Sequence, residues 1–207
     1  MLIPSPETCR IFDACRWAAL CTPDALWDTY YTARMLLERD VSGDLVECGV
    51  FAGTHPAMMA CAVMDCSQQS VRRVHLFDTF DGVPEIGERD KFKSAQVAQQ
   101  LRDQTKCALQ IVQDYMEEWG IPADLLVYHE GRLEETLPPL SLFPIALLRI
   151  DCDLYDGTQA VLRYLYPSVS ERGITVMDDY AFEGCRLAFQ ETLDAQTISQ
   201  IAWRKRT

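Results

Sequence analysis

The chain has 207 residues, which suits one α/β domain, and its 48% hydrophobic and 24% charged residues are typical of a globular protein. Its net charge of −12 argues against a nucleic-acid partner, whose phosphates it would repel, and against an anionic membrane surface. No apolar run approaches the roughly 18–20 residues that cross a bilayer.

The nine cysteines indicate a reducing compartment. Their number is odd, no two have C-x-x-C spacing, and most lie in apolar stretches, as Cys48 does. This pattern favours buried, reduced thiols over disulfides. Residues 1–10 also lack the basic and apolar segments of a secretory signal, so we expect a cytoplasmic protein.

The apolar pattern predicts alternating strands and helices. Residues 5–40 form two helices, the second of which begins with Thr22 as N-cap and Pro23 at its first position. Short apolar runs follow, typical of buried parallel strands, at 45–50, 74–77, 125–128, 145–150 and, after a turn at Arg172 and Gly173, 174–177. The predicted intervening helices are 56–65, 93–119, 157–169 and 184–195, and a last short strand is expected at 198–203.

This order predicts one domain over residues 1–207, an α/β fold with a doubly wound, mostly parallel sheet of the Rossmann-like kind, preceded by N-terminal helices. Ligands of such sheets bind beyond the carboxyl ends of the strands, at the topological switch point. Candidate functional residues are therefore those that directly follow each strand.

Glycines follow the first predicted strand. Gly49 and Gly53 precede the start of a helix, so the backbone there can approach a ligand closely, and the free N–H groups of the helix favour an anionic group. The segment matches neither the phosphate-loop motif nor a dinucleotide G-x-G-x-x-G motif. A tight turn between strand and helix explains the same glycines.

Two further positions suit a nucleoside. Asp78 ends the second strand, where a carboxylate can accept hydrogen bonds from a ribose diol, although a helix cap or an Asx-turn is the alternative. Gly131 follows the third strand and leaves room for a flat ring against the backbone.

Four aspartates follow the fourth and fifth strands, which should be neighbours. Asp151 and Asp153 follow one, and Asp178 and Asp179 follow the other. Crowded carboxylates repel each other unless a positive charge lies among them, and a hard divalent cation such as Mg²⁺ is the natural counterion. The alternative is that these residues cap helices or lie in solvated turns.

Six motifs in this order resemble the macrocin O-methyltransferase family, from about residue 40 to the C-terminus. They are DLVECGV at 44–50, FDTFDGVP at 77–84, LP at 137–138, RIDCDLY at 149–155, DDY at 178–180 and WRK at 203–205. The resemblance implies a class I methyltransferase fold, S-adenosylmethionine and Mg²⁺ as cofactors, and methylation of a hydroxyl on a small molecule, as many members methylate sugar hydroxyls of natural products.

The resemblance also implies roles for individual residues. Asp151, Asp178 and Asp179 would bind the metal, and Asp153 would be the general base. Asp78 would hold the cofactor ribose, and the methionine end would lie against Glu47, Gly49, Gly53, Thr54 and His55.

The chain departs from the family in three places. His55 stands where the family has a small hydroxyl residue, so it either donates a hydrogen bond or marks a changed pocket. Residues 84–106 are hydrophilic and are a possible lid that selects the substrate. Residues 197–207 have room for one strand rather than the usual antiparallel pair, so the sheet edge is either incomplete or completed by a partner chain, as in a homo-oligomer.

Three other functions are compatible with parts of the pattern. A methyltransferase of phenolic or catechol hydroxyls would use the same metal chemistry. A cofactor-binding module without catalysis would not need the four aspartates, and a nucleotide-dependent oxidoreductase would need neither those aspartates nor this glycine loop.

Overall fold

The computed structural model describes residues 3–67, 71–91, 95–140, 143–192 and 201–203. The helices are α1 (Pro6–Cys15), α2 (Pro23–Glu38), α3 (Thr54–Asp65), α4 (Ala95–Gln104), α5 (Leu109–Trp119), α6 (Leu133–Thr136), α7 (Tyr155–Tyr164) and α8 (Glu183–Thr192). The strands are β1 (Asp44–Cys48), β2 (Val74–Asp78), β3 (Leu126–Glu130), β4 (Ile145–Ile150), β5 (Val169–Met177) and β6 (Ile201–Trp203).

The strands form one sheet in the order β3-β2-β1-β4-β5-β6, and every adjacent pair is parallel. The chain moves outward from β1 to β3, then returns to place β4 on the other side of β1. The topological switch point therefore lies between β1 and β4, and the predicted doubly wound fold is confirmed. All six residues of β4 are buried, as a strand covered on both faces requires.

The N-terminal helices are fixed to the helix that follows β1. Thr22 caps α2 by accepting the Ala25 N–H, as predicted, and α2 packs along α3. The Tyr30 hydroxyl donates to Asp65 at the end of α3 over 2.7 Å. Because α3 begins directly after the glycine loop, this packing brings the N-terminal segment close to the ligand end of the sheet.

Two predicted elements were wrong. The helix expected at 93–119 is split into α4 and α5, and at the break the Thr105 hydroxyl donates to the Leu101 carbonyl and accepts the Val83 N–H. The turn expected at Arg172 and Gly173 lies inside β5. There Arg172 has φ +66°, and the pairing with β4 shifts register, so the extra residues form an irregularity within the strand instead of ending it.

The sheet edge is formed by β6, which pairs with β5; the predicted strand began at residue 198, and residues 198–200 lie outside the described part. All nine cysteines are free thiols. Within the described residues, the helices are too short or too polar to cross a membrane.

The buried ring of His129 gives a prediction about how the stability of the fold depends on pH. Its ring stacks on Phe77 with centroids 3.9 Å apart, and its Nε2 lies 3.0 Å from His75 Nδ1. Burial, together with the neighbouring His75, lowers the pKa of His129 to about 4. The unfolded chain, in which the pKa is near the ordinary 6.5, therefore binds this proton first.

We expect the stabilising contribution of neutral His129 to be complete above about pH 6.5 and to be lost as the pH falls towards 4. The substitution His129→Phe keeps the stacked ring and removes the titrating group. Between pH 6.5 and 4, the melting temperature of the wild type should fall more steeply than that of the variant. Parallel curves in thermal melts would contradict this prediction.

Candidate active site at the switch point

The loop after β1 has a backbone that requires its glycines. Gly49 has φ +88°, and a Cβ there would lie 1.8 Å from the Asp151 carbonyl oxygen. Gly53, with φ +82°, precedes α3 as its N-cap and has no side chain with which to cap it. The loop can therefore approach the end of β4 closely, and no N-cap side chain covers the first turn of α3.

Asp78 ties the end of β2 to this loop. Its Oδ2 accepts the N–H groups of Val50 over 2.5 Å and Phe51 over 3.0 Å, and its Oδ1 accepts the Phe80 N–H over 2.8 Å. The last bond is the Asx-turn that the sequence offered as an alternative. Asp78 thus fixes the shape of the loop, and a ribose contact would be added to this structural role.

The buried Arg149 lies among three acidic side chains. It is 1% exposed, and its Nη1 lies 2.6 Å from Glu47 Oε1 and 2.7 Å from Asp151 Oδ2. Its Nη2 lies 3.2 Å from Asp178 Oδ2. Sequence analysis did not identify this residue, although a single arginine inside an apolar strand was a visible signal. The guanidinium supplies part of the positive charge that the aspartates require.

Burial and pairing have opposite effects on these groups. Burial raises the pKa of Glu47 to about 8, although Arg149 acts to lower it. Burial by itself would lower the pKa of Arg149, but the charges of Asp151, Glu47 and Asp178 raise it overall. The guanidinium therefore stays charged beside these carboxyl groups.

Asp151, Asp178 and Asp179 converge as the sequence predicted. One carboxylate oxygen from each lies within 4.8 Å of the others, and Asp178 and Asp179 are both buried. Oxygen donors of this kind are those that Mg²⁺ prefers. One guanidinium cannot neutralise three carboxylates, so the donor set and its charge fit a divalent cation.

Asp153 lies near this cluster through a turn rather than through an extended strand. In an extended strand, residues two apart such as Asp151 and Asp153 would point to the same side, but β4 ends at Ile150 and Asp153 has φ +60°. The Asp153 N–H donates to Asp179 Oδ2 over 2.9 Å, which holds the turn in place. Although this stretch is not extended, both side chains line one cavity.

That cavity joins the glycine loop to Asp151 and Asp153, whereas Asp178 and Asp179 are not among its lining residues. It comprises about 1020 Å³ of space between atoms, a volume that includes the part open to solvent. Its walls include Glu47, Gly49, Thr54, His55, Asp78, Asp151 and Asp153. Gly53 lies within the same loop. Gly131 lies one residue before the wall at Arg132, and its N–H donates to the Asp78 carbonyl over 2.9 Å.

The N-terminal segment forms another wall and contacts His55. Leu20 and Cys21 line the cavity. The Nε2 of His55 lies 3.4 Å from Cys21 Sγ, and its Nδ1 lies 2.8 Å from Thr29 Oγ1. His55 therefore binds the N-terminal segment with both ring nitrogens. These contacts join distant parts of the chain, and no spacing in the sequence indicates them.

The first part of the predicted lid is anchored to α7. Pro84 and Glu85 line the cavity, and Asp90 Oδ1 accepts the Tyr155 N–H over 2.8 Å at the start of that helix. Arg89 Nη1 also lies 2.6 Å from the Tyr155 hydroxyl. Whether residues 84–106 move as a lid stays a prediction.

Comparison with known proteins gives a family match. The sequence model of macrocin-O-methyltransferase matches residues 28–203. The chain is 32% identical over 162 residues to 8-demethyl-8-(2,3-dimethoxy-alpha-L-rhamnosyl)-tetracenomycin-C 4'-O-methyltransferase from Streptomyces olivaceus, covering 78% of this chain and 62% of that protein. It is 30% identical to mycinamicin III 3''-O-methyltransferase from Micromonospora griseorubida, a match that covers 79% of this chain and 65% of that protein. The chain thus spans less than two thirds of either relative.

Solved structures show the same fold. The O-methyltransferase NovP matches with a TM-score of 0.75 and 26% identity, over 83% of this chain and 71% of that chain. The calicheamicin methyltransferase CalS11 matches with a TM-score of 0.65 and 22% identity, over 93% and 86%.

The three hydrogen bonds to Asp78 give a prediction about the loop. Asp78→Ala leaves the N–H groups of Val50, Phe51 and Phe80 without their acceptor, and each such loss costs about 1–3 kcal/mol when the group stays buried. We expect the free energy of unfolding to fall by at least about 1 kcal/mol in chemical denaturation. Asp81→Ala is the control, because Asp81 is exposed and lies in the loop after β2, three residues from Asp78. It should change the free energy of unfolding little. Equal stability of the two variants would show that Asp78 does not fix the loop.

Proposed function

Because the chain belongs to the macrocin O-methyltransferase family, we propose that it transfers a methyl group from S-adenosylmethionine to a hydroxyl of a sugar or glycosylated natural product. The relatives' names support this acceptor class, since one is named for the 4' position of a rhamnosyl compound and another for the 3'' position of mycinamicin III.

A single cavity carries the proposal. The glycine loop and Asp78 line one part of it, and Asp151 and Asp153 line another. A cationic sulfonium suits an acidic cavity, and the loop offers backbone N–H groups to the cofactor carboxylate. We assign the methionine end to Glu47, Gly49, Gly53, Thr54 and His55, the ribose to Asp78, and the adenine to the neighbourhood of Gly131.

The chemistry follows from these positions. When bound, S-adenosylmethionine would supply an electrophilic methyl group, and Mg²⁺ held by Asp151, Asp178 and Asp179 would lower the pKa of the acceptor hydroxyl. The acceptor oxygen forms the new O–CH₃ bond as the S–CH₃ bond breaks, and the electron pair of the broken bond stays on sulfur. Asp153 accepts the hydroxyl proton, and its turn is held by Asp179.

Asp179→Asn tests the metal. The amide oxygen can still accept the Asp153 N–H, so the turn is kept while one negative charge is removed. We expect Mg²⁺ affinity in calorimetry to fall at least about 10-fold and activity to fall with it. Full methyl transfer by the wild type in excess EDTA would show that no divalent cation is required.

Asp153→Asn tests the base. Asparagine tolerates the left-handed backbone at this position as well as aspartate does, so the change removes basicity without new strain. We expect kcat to fall by about 10²–10⁴-fold, with the affinities for Mg²⁺ and S-adenosylmethionine little changed. A collapse of Mg²⁺ affinity would make Asp153 a ligand instead, and a wild-type kcat would exclude both roles.

A further inference from the structure

We propose that Arg149 is a positioning residue that couples the two ends of the cavity, so that Mg²⁺ and S-adenosylmethionine strengthen each other's binding. The inference rests on the proposed function, because it concerns the sites for those two ligands. It adds a connection between them that passes through Glu47, Arg149 and Asp151.

One nitrogen of Arg149 serves both ends. The Nη1 atom donates to Glu47 Oε1 over 2.6 Å and to Asp151 Oδ2 over 2.7 Å. Glu47 lies in β1 two residues before Gly49, on the side of the cofactor loop, whereas Asp151 belongs to the carboxylate cluster. The two carboxylates therefore share one donor group.

The connection is rigid. Glu47 pairs with Arg149 in the register of the neighbouring strands β1 and β4, and the side chains of both residues are about 98% buried. The planar guanidinium holds its donors in a fixed arrangement, unlike the flexible ammonium of lysine. Since the strands cannot slide without breaking the sheet, ligand binding at one end acts on the other end through these hydrogen bonds.

The geometry also sets the sign of the coupling. A cation bound to Asp151 draws that carboxylate away from Arg149 electrostatically, so Nη1 binds Glu47 more strongly. This fixes Oε1 of Glu47, while Oε2, a buried atom without a hydrogen-bond partner among the described residues, is left for a cationic group of the cofactor. Direct repulsion between the metal and the sulfonium would give the opposite sign.

Linkage makes the effect measurable from either side, because each ligand must change the affinity of the other by the same factor. Calorimetric titration of S-adenosylmethionine into the wild type should give a dissociation constant at least about 5-fold lower with saturating Mg²⁺ than without. Titration of Mg²⁺ with and without S-adenosylmethionine should give the same ratio.

Glu47→Gln keeps an oxygen that can accept from Nη1 but removes the negative charge that would attract a cationic group of the cofactor. In this variant, we expect the dissociation constant of S-adenosylmethionine to be the same with and without Mg²⁺, which is a ratio near 1. Asp44→Asn is the matched control: it makes the same change in the same strand, but Asp44 contacts His75 rather than Arg149. It should keep the wild-type ratio. Arg149→Lys replaces the planar guanidinium with an ammonium that cannot hold Glu47 and Asp151 in the same arrangement, so its ratio should also be near 1. Melting curves test whether each variant is folded.

The outcomes separate this inference from the proposed function. A wild type that binds no S-adenosylmethionine in either condition contradicts the proposed function, and the inference falls with it. Independent binding of the two ligands, or negative coupling, overturns the inference and leaves the proposed function standing. A wild-type ratio in folded Glu47→Gln shows that the coupling does not pass through Glu47 and also overturns it.

Discussion

The charge of the buried Arg149 determines how the ligand end of the sheet is built. A guanidinium removed from water is tolerated only when carboxylates surround it closely. Glu47 and Asp178 can do this because β1 and β5 are the two strands that flank β4. The switch-point topology therefore brings the acidic side chains together, and the arginine makes their convergence stable.

The backbone at this end of the sheet is strained, and two carboxylates hold it in place. Phe51, Phe80 and Asp153 all have positive φ, a backbone region that residues other than glycine rarely occupy. Asp78 accepts the N–H groups of Phe51 and Phe80, and Asp179 accepts that of Asp153. A strained backbone persists only where the surrounding structure holds it in place, and such positions are common at functional sites. The aspartates thus shape the loops before any ligand is bound.

The sequence was informative about features that are local in the chain. Apolar runs located the strands because a parallel sheet buries both faces, and the order of the motifs after those runs indicated the family, which the family model confirms. It was less informative where side chains distant in the chain decide the outcome. Arg149 was visible, but two of its partners, Glu47 and Asp178, are distant in the chain and lie in or just after the strands beside β4. The pairing of His55 with Cys21 depends on how α2 packs on α3.

The walls of the cavity have two different origins. The sheet ends supply the groups that carry the proposed chemistry, and their positions are fixed by strand register and by buried charge. Other walls include Leu20 and Cys21 in the N-terminal segment and Pro84 and Glu85 in the segment after β2. These two segments are held by contacts with His55 and α7 rather than by the sheet. Residues in these walls can change without disturbing the register of the sheet or the partners of Arg149. For the proposed reaction, the physical constraint on the choice of acceptor would therefore be weaker than the constraint on the chemistry, and the same sheet could serve different acceptors by exchanging these two segments.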